Sequence, residues 1–345
     1  MISLEELQLA ARNHGLPLES LRHELTPPGL HYLLVHYDIP VVDPASWRLT
    51  VRGERELDLS LDDLLAREPV TMPVTMECAG NGRARLEPRP ISQPWLSEAV
   101  GTAEWTGVLL APLLAEAGVG PDAVEVVFTG LDRGVEGGVV QDYERSLSMA
   151  DALRDDVLLA YAMGGEPLLP QHGFPLRLLV PGWYGMTSVK WLTRIAVVDE
   201  PFAGYQMTHG YRLRTSEDDP GTPVTRIEPR SLMVPPGIPD FLTRRRFVDP
   251  GPVELEGRAW SGWGAISRVE VSTDGGASWG EASLGSAPGP AAWAPWSYVW
   301  DARPGEHELC VRAHDETGRS QPVDAPWNVG GYANNAVQRV AVTVA

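Results

Sequence analysis

Lysine and cysteine are both scarce in this chain of 345 residues. Lys190 is the single lysine beside 27 arginines, and Cys78 and Cys310 are the two cysteines. The cysteines form no CxxC, CxxCH or histidine-rich pattern, so the sequence gives no support for a zinc site, an iron–sulfur cluster or an attached c-type haem. A lysine kept against so strong a preference for arginine suggests a position that needs a compact ammonium group, with chance survival as the alternative.

Positive charge and long apolar segments are lacking as well. The formal net charge of −18 at pH 7 opposes binding to nucleic acid, so we interpret the basic run Arg244–Arg246 as a surface loop. No segment approaches the roughly 18 consecutive apolar residues of a membrane span. The first 15 residues have neither the basic part nor the apolar part of a secretory signal. We therefore expect a cytoplasmic protein with neither nucleic acid nor membrane as a partner.

Helix signals and strand signals are mixed in the first part of the chain, over residues 1–218. Ser3 and Ser60 begin the capping patterns of two helices, the first of which Gly15 can end, and Gly118 closes a third helix. Strands are predicted for the apolar runs WRLTV, PVTMEC, VEVVFTG, VLLAYAMG, LRLLVPG and RIAVV. This part is predicted to be a mixed α/β domain.

The second part of the chain contains strand signals alone. A polar, turn-rich segment over 214–223 is interpreted as a linker. The runs that follow it alternate between apolar and polar residues, namely VELEGRAW, ISRVEVST, SYVWDA, HELCVRAHD and VQRVAVTV. Residues 219–345 are therefore predicted to form an immunoglobulin-like β-sandwich, which makes the whole chain α+β. Cys310 lies in one of these strands, where a packing role is expected.

Cys78 is placed differently from Cys310. It follows an apolar run in the segment ECAGNGR, and the glycines after it allow a bulky group to approach the backbone. This segment, together with QHGFPLRLLVPGW followed by VKWL, AWSGWGAISRVEVSTDGGASW and APWNVGGYANNAVQRV, resembles the sulfite oxidase family of molybdenum enzymes. The resemblance implies that the Cys78 thiolate, a soft ligand, binds the molybdenum of a molybdopterin cofactor (Moco). It also implies that the β-sandwich is a dimerisation domain and that the protein is a homodimer.

The resemblance assigns the remaining site residues one by one. Besides Cys78, the residues implied to bind the cofactor are His36, Asp132, His172, Arg177, Ser188 and Lys190. Arg83 is implied to attract an anionic substrate, Tyr143 to steer protons near the metal, and Trp95 to line the substrate pocket. Asp142, which precedes Tyr143, also matches the family. Catalysis is therefore expected to depend on Cys78, Tyr143 and Arg83.

Two positions depart from the animal members of the family. His36 stands where those enzymes have an anion-binding arginine, and Trp296-Ser297 stands where a second pocket arginine follows a tryptophan. Both changes reduce positive charge, so His36 would contact substrate or cofactor with a charge that is present only at mildly acid pH. The departures weaken the case for sulfite as substrate but leave the case for molybdenum unchanged.

The resemblance implies oxygen-atom transfer, with sulfite to sulfate as the first expectation. No haem, flavin or nicotinamide pattern occurs, so a separate acceptor, cytochrome c-like or unknown, is expected to take the electrons. Alternatives with the same cofactor are sulfane-sulfur oxidation, toward which GWYGMTSVKWL leans, and reduction of nitrate or of S- or N-oxides. A different class is a sialidase-like protein, because Ser272 to Trp279 fits an S-x-D-x-G-x-x-W box, although a hairpin turn explains the same residues. A further alternative is a β-sandwich interaction protein without enzymatic activity.

Overall fold

The computed structural model describes residues 2–345 and contains five α-helices. They are α1 (Leu4–Arg12), α2 (Leu61–Leu65), α3 (Leu110–Ala117), α4 (Met149–Ala152) and α5 (Tyr205–Thr208). The predicted capping patterns at Ser3 and Ser60 are confirmed, since each hydroxyl accepts a hydrogen bond from the backbone N–H three residues later. The first helix ends at Arg12 rather than at Gly15, because Asn13 already has extended backbone angles. None of the helices within residues 2–345 has the length and apolarity to cross a membrane.

Two sheets carry the first part of the chain. Their strands are β1 (Leu49–Arg52), β2 (Glu56–Leu59), β3 (Val70–Glu77), β4 (Val100–Leu109), β5 (Glu125–Glu136), β6 (Val139–Ser148), β7 (Leu158–Met163), β8 (Glu166–Pro167), β9 (Arg177–Leu179) and β10 (Leu192–Val198). One sheet has the order β2-β1-β10-β5-β6, with β1 and β10 parallel. The other has the order β3-β4-β7-β8, with β9 paired to β7. The predicted strands of this part are therefore confirmed, and the mixed α/β architecture is too.

Two facing sheets form the second part. A separate hairpin of β11 (Arg212–Leu213) and β12 (Thr222–Pro223) precedes these sheets. Their strands are β13 (Arg230–Met233), β14 (Ile238–Pro239), β15 (Arg246–Val248), β16 (Gly251–Trp260), β17 (Ile266–Ser272), β18 (Gly280–Glu281), β19 (Ser283–Leu284), β20 (Ala294–Ala302), β21 (Gly305–Asp315) and β22 (Gln338–Val344). The sheet β13-β16-β20-β19 packs on the sheet β14-β15-β22-β21-β17-β18 around one apolar core. The predicted β-sandwich is confirmed, and Cys310 is fully buried in β21.

The expected linker is a short hairpin. Strands β11 and β12 pair with each other on either side of the turn, and the predicted boundary between residues 218 and 219 falls inside that turn. The division into residues 1–218 and 219–345 stays a prediction. The two parts share one cluster of buried side chains, in which Leu16, Tyr184 and Met186 pack with Leu232 and Trp260.

The S-x-D-x-G-x-x-W box is a turn between β17 and β18. The Ser272 hydroxyl donates to the Asp274 carboxylate over 2.7 Å, and the Gly276 N–H donates back to that hydroxyl over 2.8 Å. The Trp279 indole N–H donates to the Gly276 carbonyl. These side chains hold their own hairpin together, as the turn interpretation expects, and the sialidase-like alternative loses its support.

Candidate active site

Eight of the ten side chains predicted for the site line one cavity, here called the central cavity. They are His36, Cys78, Asp132, Tyr143, His172, Arg177, Ser188 and Lys190. Its other lining residues are His31, Tyr32, Leu33, Leu34, Met76, Gly185, Met186 and Tyr211. Residues from distant parts of the sequence, between His31 and Tyr211, therefore meet at one place.

Strand β3 delivers Cys78 to the central cavity. The strand ends at Glu77, and the Cys78 N–H then donates to the Ala99 carbonyl over 2.9 Å, which fixes the start of the following loop. Gly82 takes a φ of 89° in this loop, a left-handed conformation that favours glycine. The thiol is buried, and burial raises its pKa, although the nearby Arg83 cation opposes the shift. A metal cation at this sulfur would reverse that balance and bind the thiolate.

Asp132 and Lys190 bring opposite charges to the cavity wall. Asp132 lies where the pairing of β5 with β6 shifts register between Thr129 and Arg133, and this irregularity turns its carboxylate inward. Burial raises the pKa of Asp132 and lowers the pKa of Lys190, and each charge partly offsets the effect on the other. One carboxylate oxygen of Asp132 is buried with no hydrogen-bond partner within the described residues. Such an oxygen is suited to accept a hydrogen bond from a ligand.

Basic groups dominate the cavity wall. Arg177 is buried, and its guanidinium donates only to neutral acceptors, namely the carbonyls of His172 and Ser188 and the sulfur of Met76. Burial lowers the pKa of Arg177 to about 10 and the pKa of His172 to about 2. Among the lining residues that the structure describes, Asp132 is the single carboxylate. A buried cation without a carboxylate beside it is costly, so this wall is built for an anionic group.

His36 and Tyr143 are neighbours in the cavity wall, with His36 half-buried and Tyr143 buried. The His36 Nε2 atom lies 2.9 Å from the Glu136 carboxylate, and the two aromatic rings of His36 and Tyr143 are 5.2 Å apart. The Tyr143 hydroxyl donates to the Met186 carbonyl over 2.8 Å, and burial raises its pKa above the usual value. Tyr143 therefore stays protonated at neutral pH, and its proton has a fixed direction.

Arg83 and Trp95 lie outside the set of lining residues. The Arg83 side chain donates to the Gly330 carbonyl over 2.9 Å and to the Gln93 carbonyl over 3.2 Å. Its guanidinium also packs over the Tyr332 ring and over Gly80, where a Cβ atom would lie 2.6 Å from the guanidinium. Arg83 thus connects the Cys78 loop to the β-sandwich part. The anion-binding role expected for Arg83 stays a prediction, as does the pocket role of Trp95.

Three further positions that the sequence analysis named lie away from the lining of the central cavity. Trp296 is buried in the core of the β-sandwich, and Ser297 pairs with Glu256 inside the sheet, so neither residue lines the central cavity. The lack of an arginine at this position therefore does not change the charge of the central cavity. Asp142 pairs with Arg133 near the surface.

Sequence reasoning missed three contributors to this site. His31 is buried at the cavity, its Nε2 atom has no partner within the described residues, and burial lowers its pKa to about 4. Glu136 and Gln206 form the hydrogen-bonded group around His36 and Tyr37. A histidine in the apolar segment GLHYLL was the available signal for His31, whereas nothing local marks a pairing of Glu136 with a residue 100 positions away.

The donor set fits a phosphate-bearing pterin with a soft metal. Within residues 2–345 no group of three or more His, Cys, Asp or Glu side chains could hold a metal ion, so a metal at Cys78 needs further ligands from a cofactor. The basic wall suits a phosphate, and the free oxygen of Asp132 suits a pterin N–H group. The buried thiol is the ligand type that a soft, sulfur-bound metal prefers.

Comparison with known proteins agrees with this site. Residues 36–206 match a family model described as an oxidoreductase molybdopterin binding domain, and residues 225–345 match a Mo-co oxidoreductase dimerisation domain. Sulfite oxidase from Gallus gallus is 37% identical over 338 residues, which cover 91% of this chain and 72% of that protein. The chain belongs to the sulfite oxidase family of molybdenum-cofactor oxidoreductases. The family's cofactor is molybdenum held by molybdopterin, and the central cavity is the place in this chain that suits it.

Other relatives in the family differ in their reactions. Mouse mitochondrial sulfite oxidase is 35% identical over 93% of this chain, and an NADH nitrate reductase from Brassica napus is 32% identical over 96% of it. The chain spans 62% of the mouse protein and 40% of the nitrate reductase. The sulfane dehydrogenase SoxCD from Paracoccus pantotrophus has a similar structure, with a TM-score of 0.82 and 29% identity over 96% of this chain and 86% of that one.

Proposed function

We propose that this protein is a molybdenum-dependent oxidoreductase that transfers an oxygen atom to a small sulfur oxyanion, with sulfite to sulfate as the first reaction to test. The observation that carries the proposal is the placement of the Cys78 thiol in one cavity with Arg177, His172 and Lys190. When bound, the cofactor supplies the two-electron oxygen-atom transfer.

The chain's own residues have separable roles in this proposal. Arg177, His172 and Lys190 bind the anionic part of the cofactor, and Asp132 accepts hydrogen bonds from its pterin ring. Cys78 supplies the protein thiolate to the metal. Tyr143 donates its hydroxyl proton to the Met186 carbonyl, so it offers the cavity an oriented acceptor oxygen that can order water and steer protons.

Sulfane-sulfur oxidation is the second candidate function. His36 and Tyr143 are neighbours in the cavity wall, where His36 is already paired with Glu136, and Arg83 donates to backbone carbonyls. The part of the wall around His36 and Tyr143 therefore offers little fixed positive charge for a free anion, which favours a less charged sulfur substrate. The similarity to a sulfane dehydrogenase agrees with this candidate.

A panel of substrates separates these candidates. The oxidised matured protein is mixed with sulfite or thiosulfate, and the reduced protein with nitrate or with S- and N-oxides, while the optical absorption and the Mo(V) EPR signal are followed. We expect a reducing sulfur substrate to bleach the absorption of the oxidised enzyme and to give a Mo(V) EPR signal, and Cys78→Ser to show no such response. Matured protein without molybdenum, or with molybdenum that none of the panel affects, would contradict the proposal.

The partners of the enzyme are also proposals. We propose a homodimer through the β-sandwich part, which analytical ultracentrifugation at micromolar concentration tests. We propose a separate, cytochrome c-like redox protein as the electron acceptor. Reduction of such a protein by the substrate-reduced enzyme tests this proposal. The expected cytoplasmic location stays a prediction, which cell fractionation tests.

A further inference from the structure

The residue before Cys78 is a buried carboxylate that the β-sandwich neutralises. Glu77 has no exposed surface, and its side chain forms an ion pair of 2.9 Å with Arg230. The Trp260 indole N–H donates to the second oxygen of Glu77 over 2.8 Å. Arg230 begins β13 and Trp260 ends β16, and the two residues are direct partners in that sheet. The sheet register therefore aims both side chains at one carboxylate.

This carboxylate is part of a chain of hydrogen bonds that ends at Cys78. Asn81 donates to Glu77 over 3.0 Å, and its amide oxygen accepts the Ala99 N–H over 3.1 Å. The Ala99 carbonyl in turn accepts the Cys78 N–H over 2.9 Å. A shift of Glu77 would therefore move the backbone that carries the thiol.

The β-sandwich also holds the far end of the Cys78 loop. Asn334 donates to the Gly82 carbonyl over 2.7 Å, and the Asn334 carbonyl accepts a hydrogen bond from Arg230. A Cβ atom at Gly82 would lie 2.7 Å from that same carbonyl. Arg230 thus connects both ends of the loop through Glu77 and Asn334.

We infer that Arg230 and Trp260 are positioning residues for Cys78. The thiol takes the position from which it binds the metal only when the β-sandwich is docked correctly. The inference rests on the proposed binding of molybdenum by Cys78. It gives the β-sandwich a part in positioning the metal ligand, although none of the described lining residues comes from it. The physical reason is that the buried Glu77 charge is compensated by a cation from the other part of the chain, so loss of that cation leaves an unpaired charge beside the ligand. Partners behind a metal ligand orient it and tune the metal.

The test compares Glu77→Gln, Arg230→Gln and Trp260→Phe in the matured protein. Arg258→Gln is the matched control, because Arg258 lies in β16 two residues before Trp260 and donates to the Arg22 and His23 carbonyls, away from Cys78. The measurements are molybdenum per chain, the Mo(V) EPR line shape and the thermal midpoint. We expect the three test variants to retain about tenfold less molybdenum or to show a changed EPR signal, and the control to do neither.

The outcomes separate the inference from the proposed function. Normal molybdenum content and an unchanged EPR signal in all three folded test variants would overturn the inference, even with a lowered thermal midpoint. A wild-type protein without molybdenum would instead overturn the proposed function. Trp260→Phe removes one hydrogen bond and keeps an aromatic ring, so it provides a result even where Arg230→Gln does not fold.

Discussion

The His36 imidazole lies 2.9 Å from the Glu136 carboxylate at the wall of the central cavity. Glu136 also accepts hydrogen bonds from Tyr37 and Gln206. Burial acts to raise the pKa of Glu136, but these hydrogen bonds outweigh burial and keep the pKa below its ordinary value. Glu136 is therefore a carboxylate near neutral pH, and it pairs with His36, for which the resemblance implies the position of an anion-binding arginine in animal members of the family.

Replacing His36 tests the effect of charge on substrate choice. His36→Arg adds a permanent cation, part of which Glu136 neutralises, so KM for sulfite should fall by about tenfold or less, given about 1.5–3 kcal/mol for a charged hydrogen bond. His36→Gln is the control that keeps a polar side chain without charge. Steady-state kinetics with sulfite measure both variants. An unchanged KM in His36→Arg would show that this position does not contact a free anion.

The two cysteines should behave in opposite ways. Cys78→Ser should abolish turnover, because an alkoxide is a poor substitute for a soft thiolate ligand, while the basic wall still binds the pterin. Cys310→Ser, in the buried strand β21, should keep the molybdenum signal and lose only stability. Activity reports turnover, pterin fluorescence after extraction reports the bound cofactor, and the thermal midpoint reports stability in both variants. Full activity in Cys78→Ser would refute the ligand assignment.

The variant Arg83→Gln distinguishes a role of Arg83 in substrate binding from a role in stability. Its side chain donates to the Gly330 and Gln93 carbonyls, so Arg83→Gln should reduce the free energy of unfolding by about 1–3 kcal/mol. KM for the substrate should change little. The exposed Arg85, two residues later, supplies the control variant Arg85→Gln. A large rise of KM at normal stability would instead support the anion-binding role that the resemblance implies for Arg83.

Tyr143→Phe should slow turnover more than substrate binding. The variant loses an oriented hydroxyl group, and side chains that assist proton transfer contribute factors of about 10²–10⁴ to rates. Because burial raises the pKa of Tyr143, the hydroxyl stays protonated and the rate difference should be constant from about pH 6 to 9. Rates across this range measure the effect. Equal kcat in the two proteins would contradict the role.

Lys190 should control how firmly the cofactor is held. Its ammonium donates to the Leu34 and Gln171 carbonyls, and burial lowers its pKa. A bound anion favours the charged form, so cofactor binding takes up a proton and weakens as the pH rises through the lowered pKa. Molybdenum retained after gel filtration should therefore fall at high pH, and Lys190→Met should remove this dependence together with most of the metal. Lys190→Arg is the control that keeps the charge, and full retention in Lys190→Met would contradict the assignment.

Much of the fold was readable from local pattern. The Ser3 and Ser60 capping residues and the glycine at 118 set helix ends within a few residues of themselves, and alternation along the β-sandwich strands marked which side chains face the core. Strand β4 and strand β6 were not predicted, since their sequences lack a clean alternation. Strand pairing was also beyond local pattern, because register is set by contacts between distant segments.

The sequence by itself determined the motifs whose resemblance to a known family implies one site for Cys78, His172, Arg177 and Lys190, and these four side chains line one cavity. Only the tertiary structure decided how each side chain is used. It assigned Arg83 to carbonyls up to 247 residues away and enclosed Glu77 with Arg230. The physical reason is that a buried charge takes whichever partner the packing of distant strands brings within about 3 Å, and no local pattern encodes that meeting.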